Sequence, residues 1–464
     1  MSGSLDGRKY DVLVIGAGMG GGAIALRAKQ LGLKAAIVEK ARLGGTCVTV
    51  GCVPTKYLLR VSEHARDTMN MMDSGIVMGE NVSFDVKSVM KRKEELLEQV
   101  IWWYRDVVFP SYEIDVIRGE ARITSPHTVK VNGETIEVKY IGVATGSIPV
   151  APPIQGLKEA FDKGCAVFSD QALSMTEAPD HIIVIGGGPI GLELATVWEG
   201  FGSKITVVEL LERLLPMMDK DLSKAITDIL LQRGYNIHTS TKVTRIDPET
   251  CEVYLSSGER IRGDKILVST GRKPRSSGLG LEEIGVKIGE DGRIIVNERM
   301  QTSVPNIYAV GDVTGPPLLA SKAKVQGIVA AENMAGITST YNPKLVPFAV
   351  FTDPEVASVG VSAYKGDPEY VVKKFPAGVN YRSIVYERPF GLAKVVFNKE
   401  GVLVGFHMIG LHASEVVNAA TMAIQKGYEM DDVMETIFAH PVMSEVFLDA
   451  MHLANGVNVY LPKR

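Results

Sequence analysis

Cys47 and Cys52 lie five positions apart in the run Gly44-Gly45-Thr46-Cys47-Val48-Thr49-Val50-Gly51-Cys52-Val53-Pro54-Thr55-Lys56. They follow a glycine-rich turn by a few residues, so two thiols stand beside whatever nucleotide that turn holds. This arrangement suits electron transfer between a cofactor and a disulfide. In a regular helix the Cα atoms of residues i and i+5 are roughly 8–9 Å apart, beyond normal disulfide reach. A bridge therefore requires an irregular helix, or one that starts between the two residues. Gly44, Gly45, Gly51 and Pro54 supply the freedom and the restriction for either. A thiol at a helix N-terminus also feels a positive potential that lowers its pKa. Lys56, four residues after Cys52, shares its helical face and can support a thiolate.

A thiolate that leaves a disulfide at neutral pH needs its proton managed, which points to histidine. His440 has the most suggestive setting of the eight histidines, in Phe438-Ala439-His440-Pro441-Val442-Met443-Ser444-Glu445. Glu445, at the start of an expected helix, is placed to hold one ring nitrogen and fix the tautomer. A lone histidine before proline is more often structural, and His407 and His412 compete with it.

The element that must position the cysteines is a strand–turn–helix–strand unit, and the chain contains it twice. Strand Tyr10–Ile15 leads into Gly16-Ala17-Gly18-Met19-Gly20-Gly21, a helix, and a strand ending at Glu39. Strand Ile182–Ile185 leads into Gly186-Gly187-Gly188-Pro189-Ile190-Gly191, a helix, and a strand ending at Glu209. In both copies 18 positions separate the last glycine from the acid. A single such turn is weak evidence; two in this context are strong. Gly16 and Gly186 allow the tight turn, Gly18 and Gly188 let backbone approach a pyrophosphate, and Gly21 and Gly191 let helix and strand pack. The helix N-terminus attracts the phosphates, and Glu39 and Glu209 receive ribose hydroxyls. Two sites imply two dinucleotides: a tightly held flavin (FAD) beside the cysteines and a diffusible nicotinamide at the second. Glu209 repels a 2′-phosphate and is followed by Leu210 and Leu211, with Arg213 the only nearby cation. NAD is expected over NADP.

Across 464 residues, hydrophobic residues make up 45% and charged residues 22%, with a net charge of −4. These values fit a multidomain globular protein and give no sign of a nucleic-acid or membrane partner. Apolar runs are strand-length, and the first ten residues contain no apolar signal region. Four cysteines are too few for a disulfide scaffold, so a cytoplasmic setting is expected. Cys165 and Cys251, isolated in sequence, read as ordinary small apolar residues.

The ordered blocks resemble the pyridine nucleotide–disulfide oxidoreductases of the glutathione reductase class, most closely their dihydrolipoyl dehydrogenase branch. The likeness is essentially full-length. It rests on Gly44–Lys56, on Ala144-Thr145-Gly146-Ser147-Ile148-Pro149, and on Thr270-Gly271-Arg272-Lys273-Pro274. It rests also on Asn306–Asp312, on Phe351–Ala357 and on His440–Glu445. The resemblance implies an α/β fold with two Rossmann-like domains and an α+β C-terminal dimerisation domain. The implied divisions are 1–150 for FAD, 151–274 for NAD, 275–346 completing the FAD site, and 347–464 for dimerisation.

By that resemblance Cys47 exchanges with substrate and Cys52 faces the flavin. Lys56 and Glu193 pair near the flavin N5, and Asp312 holds the ribityl chain. Gly45, Thr46, Thr145, Gly146 and Gly271 border the cofactors. His440, oriented by Glu445, reaches the cysteines of the other subunit of a homodimer. The implied reaction is oxidation of dihydrolipoyl groups through a Cys47–Cys52 disulfide and FAD, reducing NAD⁺. The groups would be presented by a lipoyl-bearing carrier of a 2-oxoacid dehydrogenase complex or a glycine cleavage system. Val48-Thr49 and Thr55 depart mildly from the family's Leu-Asn and serine. Glutathione-type reductases normally use NADPH, which Glu209 disfavours. Mercuric reductases have vicinal cysteines near the C-terminus, and no cysteine follows Cys251; a reductase of that kind stands as the alternative. The aromatic run Trp102-Trp103-Tyr104 reads as core packing.

Overall fold

The structure, a computed structural model, describes residues 4–71 and 85–462. Both expected strand–turn–helix–strand units are present. The first comprises strand Lys9–Ile15, helix Met19–Gln30 and strand Ala35–Glu39; the second comprises strand His181–Ile185, helix Pro189–Gly200 and strand Lys204–Val208. In the first sheet, Lys9–Ile15 lies between Ala35–Glu39 and Glu134–Val143, all parallel. The order therefore reverses at the carboxyl end of the first strand, where the glycine turn sits. In the second sheet, His181–Ile185 is likewise flanked in parallel by Lys204–Val208 and Lys265–Val268. The central strands are buried on both faces, as covered parallel sheets require: Val12, Leu13 and Val14 have no exposure, and Ile183 and Val184 have none.

The two crossings between these domains pair with each other. Ser147–Pro149 and Arg272–Pro274 form an antiparallel two-stranded ribbon. The return strand Ile307–Ala309 then rejoins the first sheet beside Glu134–Val143. The C-terminal part is a five-stranded antiparallel sheet covered by helices Ala413–Lys426 and Glu445–Ala454. Buried charge ties it to the second domain: Lys394 Nζ lies 2.7 Å from Asp219 Oδ2, both side chains almost wholly enclosed. No helix among the described residues is long and apolar enough to cross a membrane.

Two readings are corrected. Cys165 and Cys251 are not independent apolar residues but are joined as a disulfide, with Cα atoms 5.7 Å apart across 86 positions of sequence. Cys165 precedes the edge strand Ala166–Val167, and Cys251 occupies the turn before strand Glu252–Leu255. Backbone pairing of Ile266 N with Cys165 O and of Gly263 N with Cys251 O draws the two together through one short segment, which no local pattern reveals. Trp102 and Trp103 are 49% and 52% exposed rather than core. Trp102 ends helix Val86–Trp102 one position past buried Ile101, off the Met90–Leu97–Ile101 stripe, and Trp103 opens the π-helical turn Trp103–Val108.

Candidate active site

The backbone at the cysteines resolves the spacing problem by breaking the helix. A short helix, Gly45–Thr49, carries Cys47; Val50 and Gly51 turn the chain; and a new helix, Cys52–Met71, starts at the second cysteine. Gly44 at φ 95° makes the entry that a side chain would resist, since a Cβ there meets Val48 Cβ at 2.5 Å. Both sulfurs are free and half-buried, so the structure holds the dithiol form. A hydrogen bond between the side chains splits their acidities. It lowers the Cys52 pKa to about 7, with the Lys56 ammonium helping against desolvation. The same contact, reinforced by burial, raises that of Cys47. Cys52, at the N-terminus of its helix, is thus the thiolate of the pair.

Helix Cys52–Met71 crosses helix Pro189–Gly200 closely. Ser62 Oγ donates to Thr196 O at 3.0 Å, and Gly200 leaves no room for a Cβ against Ser62. The crossing brings Lys56 Nζ to 2.8 Å from Glu193 Oε2. Glu193 is 7% exposed, and its other oxygen accepts from Phe351 N at 2.9 Å. The Lys56 ammonium also lies 4.3 Å from the centre of the Phe351 ring. Phe351, from the C-terminal part, is a positioning residue that the sequence block containing it did not single out.

The two glycine turns repeat each other atom by atom. A Cβ on Gly16 would stand 2.5 Å from Ala144 O, and one on Gly186 would stand 2.6 Å from Ser269 O. A Cβ on Gly21 or Gly191 would strike the carbonyl of Gly16 or Gly186. Gly188 faces open space and Gly18 nearly so, which is the approach a pyrophosphate needs. Glu39 accepts from Ala17 N at 2.8 Å and Ala41 N at 2.7 Å. Glu209 accepts from Gly187 N at 2.6 Å and Leu211 N at 2.8 Å. Each carboxylate is thus fixed before any ribose arrives. Arg213 is turned away, donating to Pro216 O at 2.7 Å.

One cavity of about 1170 Å³ joins these parts. Its lining includes Gly16, Gly18, Glu39, Gly45, Thr46, Cys47, Cys52, Lys56, Thr145, Gly146, Glu193, Gly271 and Asp312. Gly186, Gly188, Gly191 and Glu209 lie outside it, at the second turn, and Gly21 lies beneath the first. A cavity that joins the first glycine cradle to the thiols fits FAD, and the open second turn fits NAD. Asp312 Oδ2 accepts from Ser147 Oγ at 2.6 Å, and Arg272 Nε donates to the same hydroxyl at 2.8 Å. The pairing of the two crossings joins Ser147 and Arg272, one from each, in a hydrogen-bond chain that ends on Asp312.

His440 and Glu445 do not line this cavity. They form their own pair, with His440 Nδ1 2.8 Å from Glu445 Oε1 while Glu445 Oε2 accepts from Val442 N at 2.8 Å. The His440 side chain is 53% exposed, leaving Nε2 free to face outward. His407 is buried and saturated by Ser358 and Val361, and His412 serves as the left-handed cap of helix Ala413–Lys426. Both ring nitrogens of His407 are thus occupied.

Residues 10–334 match the family model of pyridine nucleotide-disulphide oxidoreductases, and residues 346–451 match that family's dimerisation domain, which supports a homodimer. A dihydrolipoyl dehydrogenase of Thermus scotoductus is 36% identical, with 98% of this chain and all of that protein covered. One of Trypanosoma brucei brucei is 36% identical over 95% of each chain. A leghemoglobin reductase of Glycine max is also 36% identical, over 95% of this chain and 86% of the relative. Among solved structures, the Escherichia coli protein described as an HOCl-induced flavoprotein disulfide reductase, RclA, superposes with a TM-score of 0.85 at 27% identity, covering 96% of this chain and all of that one. With two nucleotide turns, a dithiol between them and a matched dimerisation domain, the chain belongs to the pyridine nucleotide-disulphide oxidoreductase family of enzymes.

Proposed function

We propose that the protein is an FAD-dependent dihydrolipoyl dehydrogenase that reduces NAD⁺. The observation that carries this reading is the single cavity holding the Cys47–Cys52 dithiol, the Lys56–Glu193 pair and the first glycine cradle. The full-length likeness to proteins named dihydrolipoyl dehydrogenase supports it. FAD bound there supplies the two-electron exchange between dithiol and nicotinamide.

The chain's own residues manage the thiols. In the oxidised enzyme a substrate thiolate attacks Cys47 Sγ, the Cys47–Cys52 bond breaks, and Cys52 leaves as a thiolate. Its low pKa and the Lys56 ammonium make it a good leaving group. The second substrate thiol gives its proton to His440 Nε2 and attacks the substrate sulfur of the mixed disulfide, releasing the cyclic lipoyl disulfide and Cys47 as a thiolate, which takes that proton back from His440. Glu445 holds His440 Nδ1 and so presents Nε2 as the acceptor. Because His440 is exposed and absent from the cavity lining, the histidine of the second subunit serves each dithiol, in a homodimer whose site spans the interface. Divisions at 150, 274 and 346 are part of the same proposal, which the paired crossings and the start of the antiparallel sheet support. The lipoyl group is presented by a carrier of a 2-oxoacid dehydrogenase complex or a glycine cleavage system, in the cytoplasm.

The test is turnover of purified protein with NAD⁺ and dihydrolipoamide, beside Hg²⁺ with NAD(P)H and oxidised glutathione with NADPH. Turnover of dihydrolipoamide well above both controls is expected. Turnover of only a control substrate assigns the protein to another branch of disulfide or metal reductases.

A further inference from the structure

Helix Glu445–Ala454 carries a second carboxylate one turn beyond Glu445. Asp449 is 9% exposed, between the buried side chains of Val446, Phe447, Ala450 and Met451. Its Oδ2 is enclosed and has no hydrogen-bond partner among the described residues. A buried carboxylate kept for stability is ordinarily hydrogen-bonded or paired, because an unpartnered one is costly. Asp449 also repels its neighbour, since like charges at i and i+4 share one helical face. Glu445 meanwhile spends both of its oxygens, on His440 Nδ1 and Val442 N. The cost of Asp449 is explained if its charge acts on something else in reach.

We propose that Asp449 is a positioning residue for the proton chemistry of His440, a second anion behind Glu445 that stabilises the imidazolium formed when substrate gives up its proton. The proposal rests on the reading of His440 as proton acceptor. The ionisable groups acting on Asp449 are Glu445 and His440, and Tyr460 of the C-terminal segment faces both carboxylates. Burial first, then the Glu445 charge, pushes the Asp449 carboxyl up to about 6, while His440 opposes them. Such coupling is reciprocal: if the imidazolium favours the Asp449 anion, the anion favours the imidazolium to the same extent. Above about pH 6 Asp449 is ionised, so in the neutral range its charge is present when His440 takes a proton. Glu445 fixes the tautomer, and Asp449 places a second negative charge one turn behind it. Tyr381, edge-on to the His440 ring at 5.6 Å and to Tyr460 at 5.6 Å, confines the imidazole where this field acts.

The experiment is NMR titration of the His440 imidazole and the Asp449 carboxyl in the full-length, FAD-loaded dimer, with pH profiles of kcat/KM for dihydrolipoamide. In Asp449→Asn the His440 midpoint is expected to fall by roughly 0.5–1 unit, about a three- to tenfold change in proton affinity. The acid limb of kcat/KM should move to lower pH by the same amount, and Asp449→Glu should restore both. In His440→Gln the Asp449 midpoint should rise, a readout available even if Asp449→Asn fails to fold. Superimposable His440 titrations in wild type and Asp449→Asn, or an Asp449 midpoint unmoved in His440→Gln, overturn the proposal. Undiminished turnover in His440→Gln instead overturns the proton-acceptor reading beneath it.

Discussion

Lys56 Nζ and Glu193 Oε2, 2.8 Å apart, join the helix that begins at Cys52 to the helix that begins at the second glycine turn. The pair is where the thiol end of the molecule and the nicotinamide end touch. It is held from a third side by the Phe351 backbone and ring.

Replacing Lys56 by Met leaves a nearly buried carboxylate with one backbone donor. Removing one partner of a fully buried pair costs ~3–5 kcal/mol. Lys56 is one-third exposed, so water compensates part of this and ~1–2 kcal/mol is expected. Glu193→Gln should cost less, because its amide still accepts from Phe351 N. Denaturant unfolding of the two variants would show it; equal stabilities would mean the pair is not closed in solution.

The same lysine acts on Cys52. In the reduced protein the ultraviolet thiolate signal should titrate near pH 7, as the depressed Cys52 acidity requires. In Lys56→Met the midpoint should rise by about one unit, since a neighbouring cation favours the charged form. Below that midpoint the released Cys52 is protonated, so the thiolate signal of the reduced protein should be lost as pH falls. A midpoint near that of a free thiol in the wild type would remove the assignment of Cys52 as thiolate.

His440→Gln should lower turnover by ~10²–10⁴-fold, the usual range for a lost acid–base group, with KM for NAD⁺ unchanged. If the histidine acts across a twofold interface, mixing inactive Cys47→Ser and His440→Gln subunits regenerates one intact site per heterodimer. Random reassortment then recovers roughly a quarter of wild-type activity, a consequence of the symmetry alone. A histidine acting within its own chain would recover none.

NADH should outperform NADPH in kcat/KM by ~10²-fold or more. Glu209 is fixed by two backbone donors at the ribose position, and a 2′-phosphate would meet it without the compensation Arg213 is turned away from giving. A higher kcat/KM with NADPH would require the Glu209 carboxylate to move.

The Cys165–Cys251 bridge closes 86 positions that include the second glycine turn. Chain-entropy arguments assign such a loop at most ~4–5 kcal/mol, and measured effects usually fall to ~2–4 kcal/mol. Cys251→Ser should lower Tm under non-reducing conditions and leave dihydrolipoamide turnover intact. Peptide mapping without reductant should find the 165–251 link; free thiols at both positions in air-oxidised protein would count against it.

Much of the site was legible because its parts are local. Part of each glycine turn is fixed by short-range sterics: a Cβ at Gly21 or Gly191 strikes the carbonyl of Gly16 or Gly186, five positions earlier. The break between Cys47 and Cys52 followed from disulfide reach and helix rise alone. Glu445 lies five residues from His440, close enough for one turn to join them.

What sequence alone determined, then, was chemistry carried within single strand–turn–helix units: the dithiol, the nucleotide turns and the acids that close them. Tertiary structure decided the rest, because it depends on contacts between chain segments that share no local pattern. The Lys56–Glu193 pair needs a helix crossing whose close approach depends on Gly200 lying against Ser62. The Cys165–Cys251 bridge arises from strand pairing across 86 positions. The enclosure of Asp449 Oδ2 without a hydrogen-bond partner among the described residues is likewise a property of packing, invisible until helix Glu445–Ala454 is laid against its sheet.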